Sequence, residues 1–396
     1  MNKENNEKIK LNICSIEDCG RLTHKQSKYC IFHAEPDEKT EDEFKKALKE
    51  YAYEIKKENK DHNFSFFIFV GKIAFIKDLN ITIFTNANFE GATFEDNANF
   101  ERTTFEGRAN FENAGFEGNV YFDQVIFKVN SNFLGSTFKG DISFSETTLV
   151  PATWLEIKLL KKGIIKFEKT NLEGVILDLD LVNGVLIDFT NALLMNTKIN
   201  KEQISNHILQ EERKEFSQAR EVYLILKNNF RSIGRYNEEG WAFTKEKDMD
   251  RKSNFHFKSL HKWLWSCFLN VIYGYGEKPG RVMALAMMII IVFTFIFMSY
   301  GLIDEIKSDT LPKYNILNEL FMGIKDGDLL VRLKDMSLEQ LEDCLYFSTV
   351  TFTTLGIGDF VPIEGPARIL VGTEAFIGAF VMALFVYTFA KSTGGR

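Results

Sequence analysis

Apolar positions along this chain change their spacing several times, and each spacing predicts a different element. From Phe84 a large apolar residue returns every five or six positions: Phe84, Phe89 and Phe94, then Phe100, Phe105, Phe111, Phe116, Phe122, Phe127, Phe133, Phe138 and Phe144. That suits neither the period of a helix nor the alternation of a strand. From Phe89 the steps alternate five and six, so the full period is 11. Small or β-branched residues stand two positions ahead, at Ala87, Ala92, Ala98, Thr103, Ala109, Ala114, Val120, Val125, Ser131, Ser136, Ile142 and Thr147. Such a period predicts a solenoid that turns a corner at every fifth residue, with one extra residue at every second corner and about 22 residues per coil. Phe84 to Leu149 then makes roughly three coils. A weaker repeat returns at Phe167, Leu172 and Leu177 and at Phe189, Leu194 and Ile199; Val150–Lys166 is expected to interrupt it as an inserted helix or loop.

On either side of the ladder the spacing is helical. Phe44, Leu48, Tyr51 and Ile55 mark one amphipathic helix within Asp37–Lys60. Phe216, Ala219, Tyr223, Leu226 and Phe230 mark the first arm of a hairpin over Gln203–Arg251, with Gly234 at the turn and Trp241, Ala242 and Phe243 opening the second arm. This hairpin resembles a single tetratricopeptide unit. Phe255–Ile272 sets Lys258, His261 and Lys262 beside Trp263, Trp265 and Phe268, the composition of a helix lying at a membrane interface. Cys267 on that face reads as a packing residue.

Two stretches are apolar all round. Val282–Ile303 is long enough to cross a bilayer, and a second such run occupies 366–390. Lys278 and Arg281 precede the first and Lys391 follows the second, which places both chain ends on the cytoplasmic side. Between the spans lie a loop from Asp304, a short helix over 337–352 and the string Thr353-Thr354-Leu355-Gly356-Ile357-Gly358-Asp359. The expected organisation is therefore 1–40 a metal knuckle, 41–62 a helical linker, 63–200 a solenoid interrupted about 150–166, 201–253 the hairpin, 254–280 the interfacial helix and 281–396 a two-span domain.

Composition adds three constraints. A net charge of -7 implies no general affinity for nucleic acid, and the outward acids Glu90, Glu95, Asp96, Glu101, Glu106, Glu112 and Glu117 read as a solvated face. The ladder accounts for the skew to 38 phenylalanines. Five cysteines make no disulfide scaffold, and Met1–Lys10 lacks the apolar core of a signal peptide. No nucleophile–base pair, open metal site, glycine-rich nucleotide motif or regular arginine row is legible, so neither an enzyme nor a voltage sensor is expected.

Cys14, Cys19, Cys30 and His33 give C-x4-C-x10-C-x2-H. Three thiolates and an imidazole suit tetrahedral Zn²⁺, and a fully protein-ligated site is structural. The run Tyr29-Cys30-Ile31-Phe32-His33 resembles the end of small zinc knuckles; His24 is an alternative ligand.

Two family resemblances complete the reading. The five-residue ladder resembles the pentapeptide-repeat family, which implies a right-handed, four-sided β-helix with the large residue and the small one before it both pointing inward. Thr353–Asp359, with a helix ahead and spans on both sides, resembles the filter of two-helix potassium channels. That resemblance implies K⁺ coordination by the carbonyls of Thr354, Leu355, Gly356 and Ile357 and by the Thr354 hydroxyl, with Gly358 completing the strand. Thr353, Tyr346, Phe347, Val350, Asp359 and Glu374 would support the filter. Gly378 would be a hinge and Phe385 and Phe389 a constriction. Glu374 would face the back of the pore helix near Thr351 or Thr353. Ile357 departs from the commoner Tyr. Tyr273-Gly274-Tyr275-Gly276 copies filter letters without the Thr run or the trailing Asp, and reads as a turn.

The expectation is a multidomain membrane protein: a homotetrameric potassium channel in the plasma membrane, touching lipid and an unidentified cytoplasmic ligand or protein. A weakly selective cation channel and a membrane-anchored repeat scaffold are the alternatives.

Overall fold

A computed structural model describes residues 13–17, 19–253, 269–300, 302–304, 309–310, 338–363 and 365–392. The chain divides into two units, Met1–Asn254 and Phe255–Arg396.

The first unit is a β-solenoid of about six turns. Each corner is flanked by strands of two residues, and each strand pairs in parallel with its counterpart one coil away: Ala87 with Ala109, Gly115 with Thr137, Val120 with Ile142. The 22-residue offset is the one the ladder predicts. Inside, phenylalanines stack in columns. Phe89, Phe111 and Phe133 lie with ring centroids 4.9 Å apart at each step, and Phe100, Phe122 and Phe144 at 4.9 and 5.0 Å. All twelve small residues named above are buried. Ring burial drives the fold, and each near-parallel pair adds about 0.5–1.5 kcal/mol beyond it.

The alternation of five and six has a backbone cause. Every five-residue corner from Phe89 to Leu149 carries one left-handed residue: Gly91, Arg102, Asn113, Gln124, Gly135 and Glu146, with φ between 57° and 70°. The six-residue corners turn with their extra residue instead. There the coils approach closely: a Cβ on Gly107 would sit 1.5 Å from the Thr85 carbonyl oxygen.

The solenoid starts ahead of Phe84, the first position of the ladder. Phe69 stacks on Phe94 at 4.3 Å and Phe75 on Phe100 at 4.4 Å, so an earlier coil exists, its corner carried by a short helix at Phe75–Leu79. Val150–Lys166, expected to interrupt the repeat as an inserted helix or loop, is not an insertion. Trp154–Leu159 and Ile164–Lys166 are strands in line with those before and after them. Pairing shifts from 22 residues (Asn132 to Trp154) to 21 (Phe138 to Leu159) and then 23 (Ile142 to Ile165). One corner is straightened into a six-residue strand that buries Leu155, Ile157 and Leu159 alternately.

Helices close both ends. At the start α1 (Glu41–Glu58) buries Phe44, Leu48, Ala52 and Ile55; its first turn is closed by a Thr40–Glu43 capping box and its end by left-handed Asn59. After the last coil come short helices at Lys201–Ile204 and Leu209–Glu212, then the hairpin of Phe216–Ser232 and Tyr236–Ser253, turning at left-handed Gly234. The second arm thus starts at Tyr236, five residues ahead of Trp241. Asn229, fully buried, seals the last coil: its amide donates to the Thr197 carbonyl and its Oδ1 accepts from the Thr197 N–H, both at 2.9 Å.

In the second unit three helices pack together: an outer helix at Pro279–Tyr300, a pore helix at Leu338–Phe352 and an inner helix at Gly365–Ser392. The outer helix starts three residues before the expected span and stops at Tyr300. Leu302 and Ile303, expected to end the span, instead belong to a strand, Leu302–Asp304, that pairs antiparallel with Phe360–Pro362 and with Asp309–Thr310. The expected interfacial helix falls largely outside the described residues, as do Lys258, His261, Lys262, Trp263, Trp265, Cys267 and Phe268; so does most of the loop from Asp304 to Leu341.

Candidate functional site

The pore helix buries Cys344, Phe347, Ser348, Val350 and Thr351. Phe347 sets its ring edge-on to Phe297 of the outer helix at 4.9 Å, which fixes the helix from behind. Tyr346, half-exposed, lies edge-on to Phe360 at 6.1 Å. Asp359 accepts from the Phe360 N–H at 3.1 Å. The ring contact therefore ties the end of the string back to the pore helix.

Chain reversal at the helix end is built from backbone bonds. The Thr354 N–H reaches the Thr351 carbonyl and the Leu355 N–H the Val350 carbonyl, both at 3.0 Å, while the Thr353 hydroxyl donates to the Thr349 carbonyl at 2.7 Å. Beyond that turn every second residue is left-handed: Thr354 at φ 57°, Gly356 at 58°, Gly358 at 85°. Alternating hands turn successive peptide planes so that neighbouring carbonyls can share one side of the strand, a conformation glycine takes without strain. Leu355 and Ile357 are 70 % and 61 % exposed in the single chain.

Glu374 of the inner helix is fully buried. Its Oε1 accepts from the Ser348 hydroxyl, which also lies 3.0 Å from the Ile290 carbonyl, and its Oε2 has no partner among the described residues. The acid does face the pore helix, but on Ser348, one turn before the Thr351 and Thr353 named from the sequence. One turn further along, Gly378 crosses the pore helix end so tightly that a Cβ would meet the Phe352 carbonyl oxygen at 2.0 Å. That close approach accounts for glycine there. Phe385 and Phe389 lie 5.9 Å apart towards the far end of the same helix.

In the other unit Cys14, Cys19, Cys30 and His33 converge, their ligand atoms all within 4.8 Å of one another. A small hairpin (Ile13 bridged to Leu22) presents the first two and a turn after Cys30 presents the others. His33 Nδ1 lies 3.3 Å from Cys14 Sγ and 3.4 Å from Cys30 Sγ, and Cys19 Sγ is 3.7 Å from Cys30 Sγ. The opposite ring nitrogen, Nε2, is 3.2 Å from the Ser65 carbonyl, so it carries the proton and leaves Nδ1 free as a ligand. Burial holds His33 below its usual value, favouring the neutral ring, and pushes the Cys30 thiol up to about 12. Burial also works to raise Cys19, but hydrogen bonds from the Arg21 backbone, Cys30 and the Arg21 guanidinium hold it below the ordinary value. The donor set fits one tetrahedral ion. His24 is not in the cluster; its Nε2 lies 3.9 Å from a Glu43 carboxylate oxygen.

Periodicity gives no hint of what this knuckle does to the solenoid. Phe32, between two ligands, stacks on Phe67 at 4.5 Å and 7°, the geometry of the internal columns, and the Ile68 N–H donates to the Phe32 carbonyl at 2.8 Å. Lys39, buried, donates to the carbonyls of Ile31, Phe32 and Ile68, and burial lowers its amine to about 8. The knuckle thus lies on the first coil as a further rung.

Two helices, Pro279–Tyr300 and Gly365–Lys391, are long and apolar enough to cross a membrane, and only 22 % and 17 % of their apolar windows are buried. A pore helix and a glycine-bearing return strand between two such helices define the pore-domain class of membrane protein. Comparison agrees: residues 321–393 match the family described as "Ion channel", and residues 82–126 and 100–148 match "Pentapeptide repeats (9 copies)". No curated protein and no solved structure matches the chain. The chain carries an ion-channel domain behind a pentapeptide-repeat β-solenoid, together with a Cys3His group able to hold a metal ion.

Proposed function

We propose that this chain is one subunit of a homotetrameric, potassium-selective channel of the plasma membrane. The observation that carries this reading is the alternation of hand at Thr354, Gly356 and Gly358 directly after a pore helix. A strand of that kind offers the carbonyls of Thr354, Leu355, Gly356 and Ile357 as a replacement for the hydration shell of K⁺, with the Thr354 hydroxyl below them. One chain supplies one strand, so four copies surround an ion. The exposure of Leu355 and Ile357 fits strands that neighbours would cover. Thr353, Tyr346, Phe347, Val350, Asp359 and Glu374 hold the strand from behind, while Gly378, Phe385 and Phe389 belong to the gating helix. The positive charge of Lys278, Arg281 and Lys391 beside the spans supports a cytoplasmic position for both ends, where the solenoid acts as a regulatory or docking module. Zn²⁺ in the Cys3His group supplies folding energy there, not chemistry.

The test is single-channel current from purified protein in a planar bilayer with unequal K⁺ and Na⁺ on the two sides. A reversal potential near the potassium value, with current lost in Gly356→Ala, is the expected result. Reversal near zero would point to the weakly selective channel that Ile357 permits. No current, together with a monomeric or dimeric mass in detergent, would favour a membrane-anchored scaffold.

A further inference from the structure

The motif that copies a filter without being one has its own place in the fold. Tyr273-Gly274-Tyr275-Gly276 forms a tight 3-10 turn immediately ahead of the outer helix. Gly274, Tyr275 and Gly276 are left-handed in succession, with φ of 57°, 56° and 89°. A non-glycine residue in this region costs about 1–2 kcal/mol, so the turn is held by what it packs against. Its neighbour is the last turn of the inner helix. Lys391 Nζ donates to the Tyr275 carbonyl at 3.1 Å and pairs with the Glu277 carboxylate at 2.9 Å, both side chains being largely buried. Gly276 lies against the same lysine: a Cβ there would come within 3.2 Å of Lys391 Cδ and Nζ and 3.4 Å of the Tyr387 ring. Gly276 is thus accounted for by a close docking on Lys391 and Tyr387, and Gly274 by its approach to the Lys278 side chain, rather than by ion coordination.

Position gives the docking its meaning. The inner helix leaves the return strand at Gly365, and at 1.5 Å per residue Lys391 lies about 39 Å further along. Phe389 and Phe385, the candidate constriction, are two and six residues before it. At the filter end the domain is tied by the strands Leu302–Asp304 and Phe360–Pro362. At the far end this turn, through which the chain enters the outer helix, adds a polar tie to the apolar cluster of Val282, Phe352 and Val381. Arg281 of the outer helix anchors the preceding residues by donating to the Asn270 carbonyl at 2.6 Å.

Resting on the channel reading above, we propose that the Tyr273–Glu277 turn is a latch on the gate. The Glu277 carboxylate and Tyr275 carbonyl clasp Lys391 and hold the far end of the inner helix in its closed position, and opening requires that Lys391 be released. Charge-assisted bonds of this kind, partly shielded from water, are the strong ones.

Full-length channel in planar bilayers tests this. Glu277→Gln and Lys391→Gln should each raise the open-to-closed ratio at least about tenfold, with unitary conductance and reversal potential unchanged. The exchanged pair, Glu277→Lys with Lys391→Glu, should return the ratio towards the original. Restoration separates a latch from a folding defect, which a second substitution would worsen. Unchanged gating in both single variants, or no restoration in the exchanged pair, would overturn the latch and leave the channel reading standing. Absence of current from the unaltered protein would overturn both.

Discussion

The solenoid and the pore domain both depend on left-handed residues at fixed spacing, yet they differ in what completes them. In the solenoid each coil is completed by the next coil of the same chain. Rings meet rings inside, and the Asn88–Asn110–Asn132 amides run as a ladder outside at 3.2 and 3.0 Å. Left-handed residues there turn corners. In the pore domain alternate left-handed residues aim a strand at nothing among the described residues: apart from their chain neighbours, none comes within 4 Å of where a Cβ on Gly356 or Gly358 would lie. Phe376 of the inner helix is 75 % exposed, and Leu355 and Ile357 stand open beside the strand. The same backbone device closes one structure on itself and leaves the other open within the single chain.

The largest effect that separates the two regions should come from metal removal. Chelation, or Cys30→Ser, should release the knuckle. Apparent metal-binding energies of small structural zinc sites are about 10–16 kcal/mol, and polar residues 13–40 have little core to replace them. Hydrogen exchange should rise sharply around Phe32 and the edge at Ser65–Ile68 while the coils beyond Phe89 stay protected. Uniform exchange across the whole solenoid would mean that the knuckle is part of one cooperative unit, not a rung laid on top.

Next in size is a matched pair of truncations. Phe122→Ala empties a site inside a column and should cost about 3–5 kcal/mol in the unfolding of the first unit. Phe376→Ala should change the stability of a single chain by less than about 0.5 kcal/mol but loosen the tetramer proposed above, read as mass in mild detergent. Equal effects on chain stability would erase the distinction between a self-completed and an unfinished region.

How much of this was legible follows from the same contrast. The ladder is legible because one residue type marks each corner and coils repeat; where Leu155, Ile157 and Leu159 replace phenylalanine and the register slips by one and then two residues, the spacing predicts a break although the strands continue. Leu302–Asp304 was hidden because an apolar run does not record where a helix stops. The metal ligands were legible as spacing, but Phe32 stacked on Phe67 was not, since a contact between a knuckle and the first coil has no period. Glu374 announced itself as a buried acid in a span, yet its partner Ser348 depended on how two helices cross, which sequence spacing does not encode.

The smallest expected effect lies on the outer face of the solenoid, where the charge ladder follows the same repeat as the rings. Lys128 meets Glu106 at 2.7 Å and Lys139 meets Glu117 at 2.7 Å, each lysine one coil beyond its acid. The repeat makes these pairs regular, but regularity is not strength. The Lys128–Glu106 side chains are about half exposed, and such pairs contribute about 0.2–1 kcal/mol, further screened by salt. Glu106→Gln should therefore shift the denaturation midpoint of the first unit only slightly, and the shift should vanish in high salt. A cost approaching that of Phe122→Ala would show that the outer ladder, and not the ring columns alone, holds adjacent coils in register.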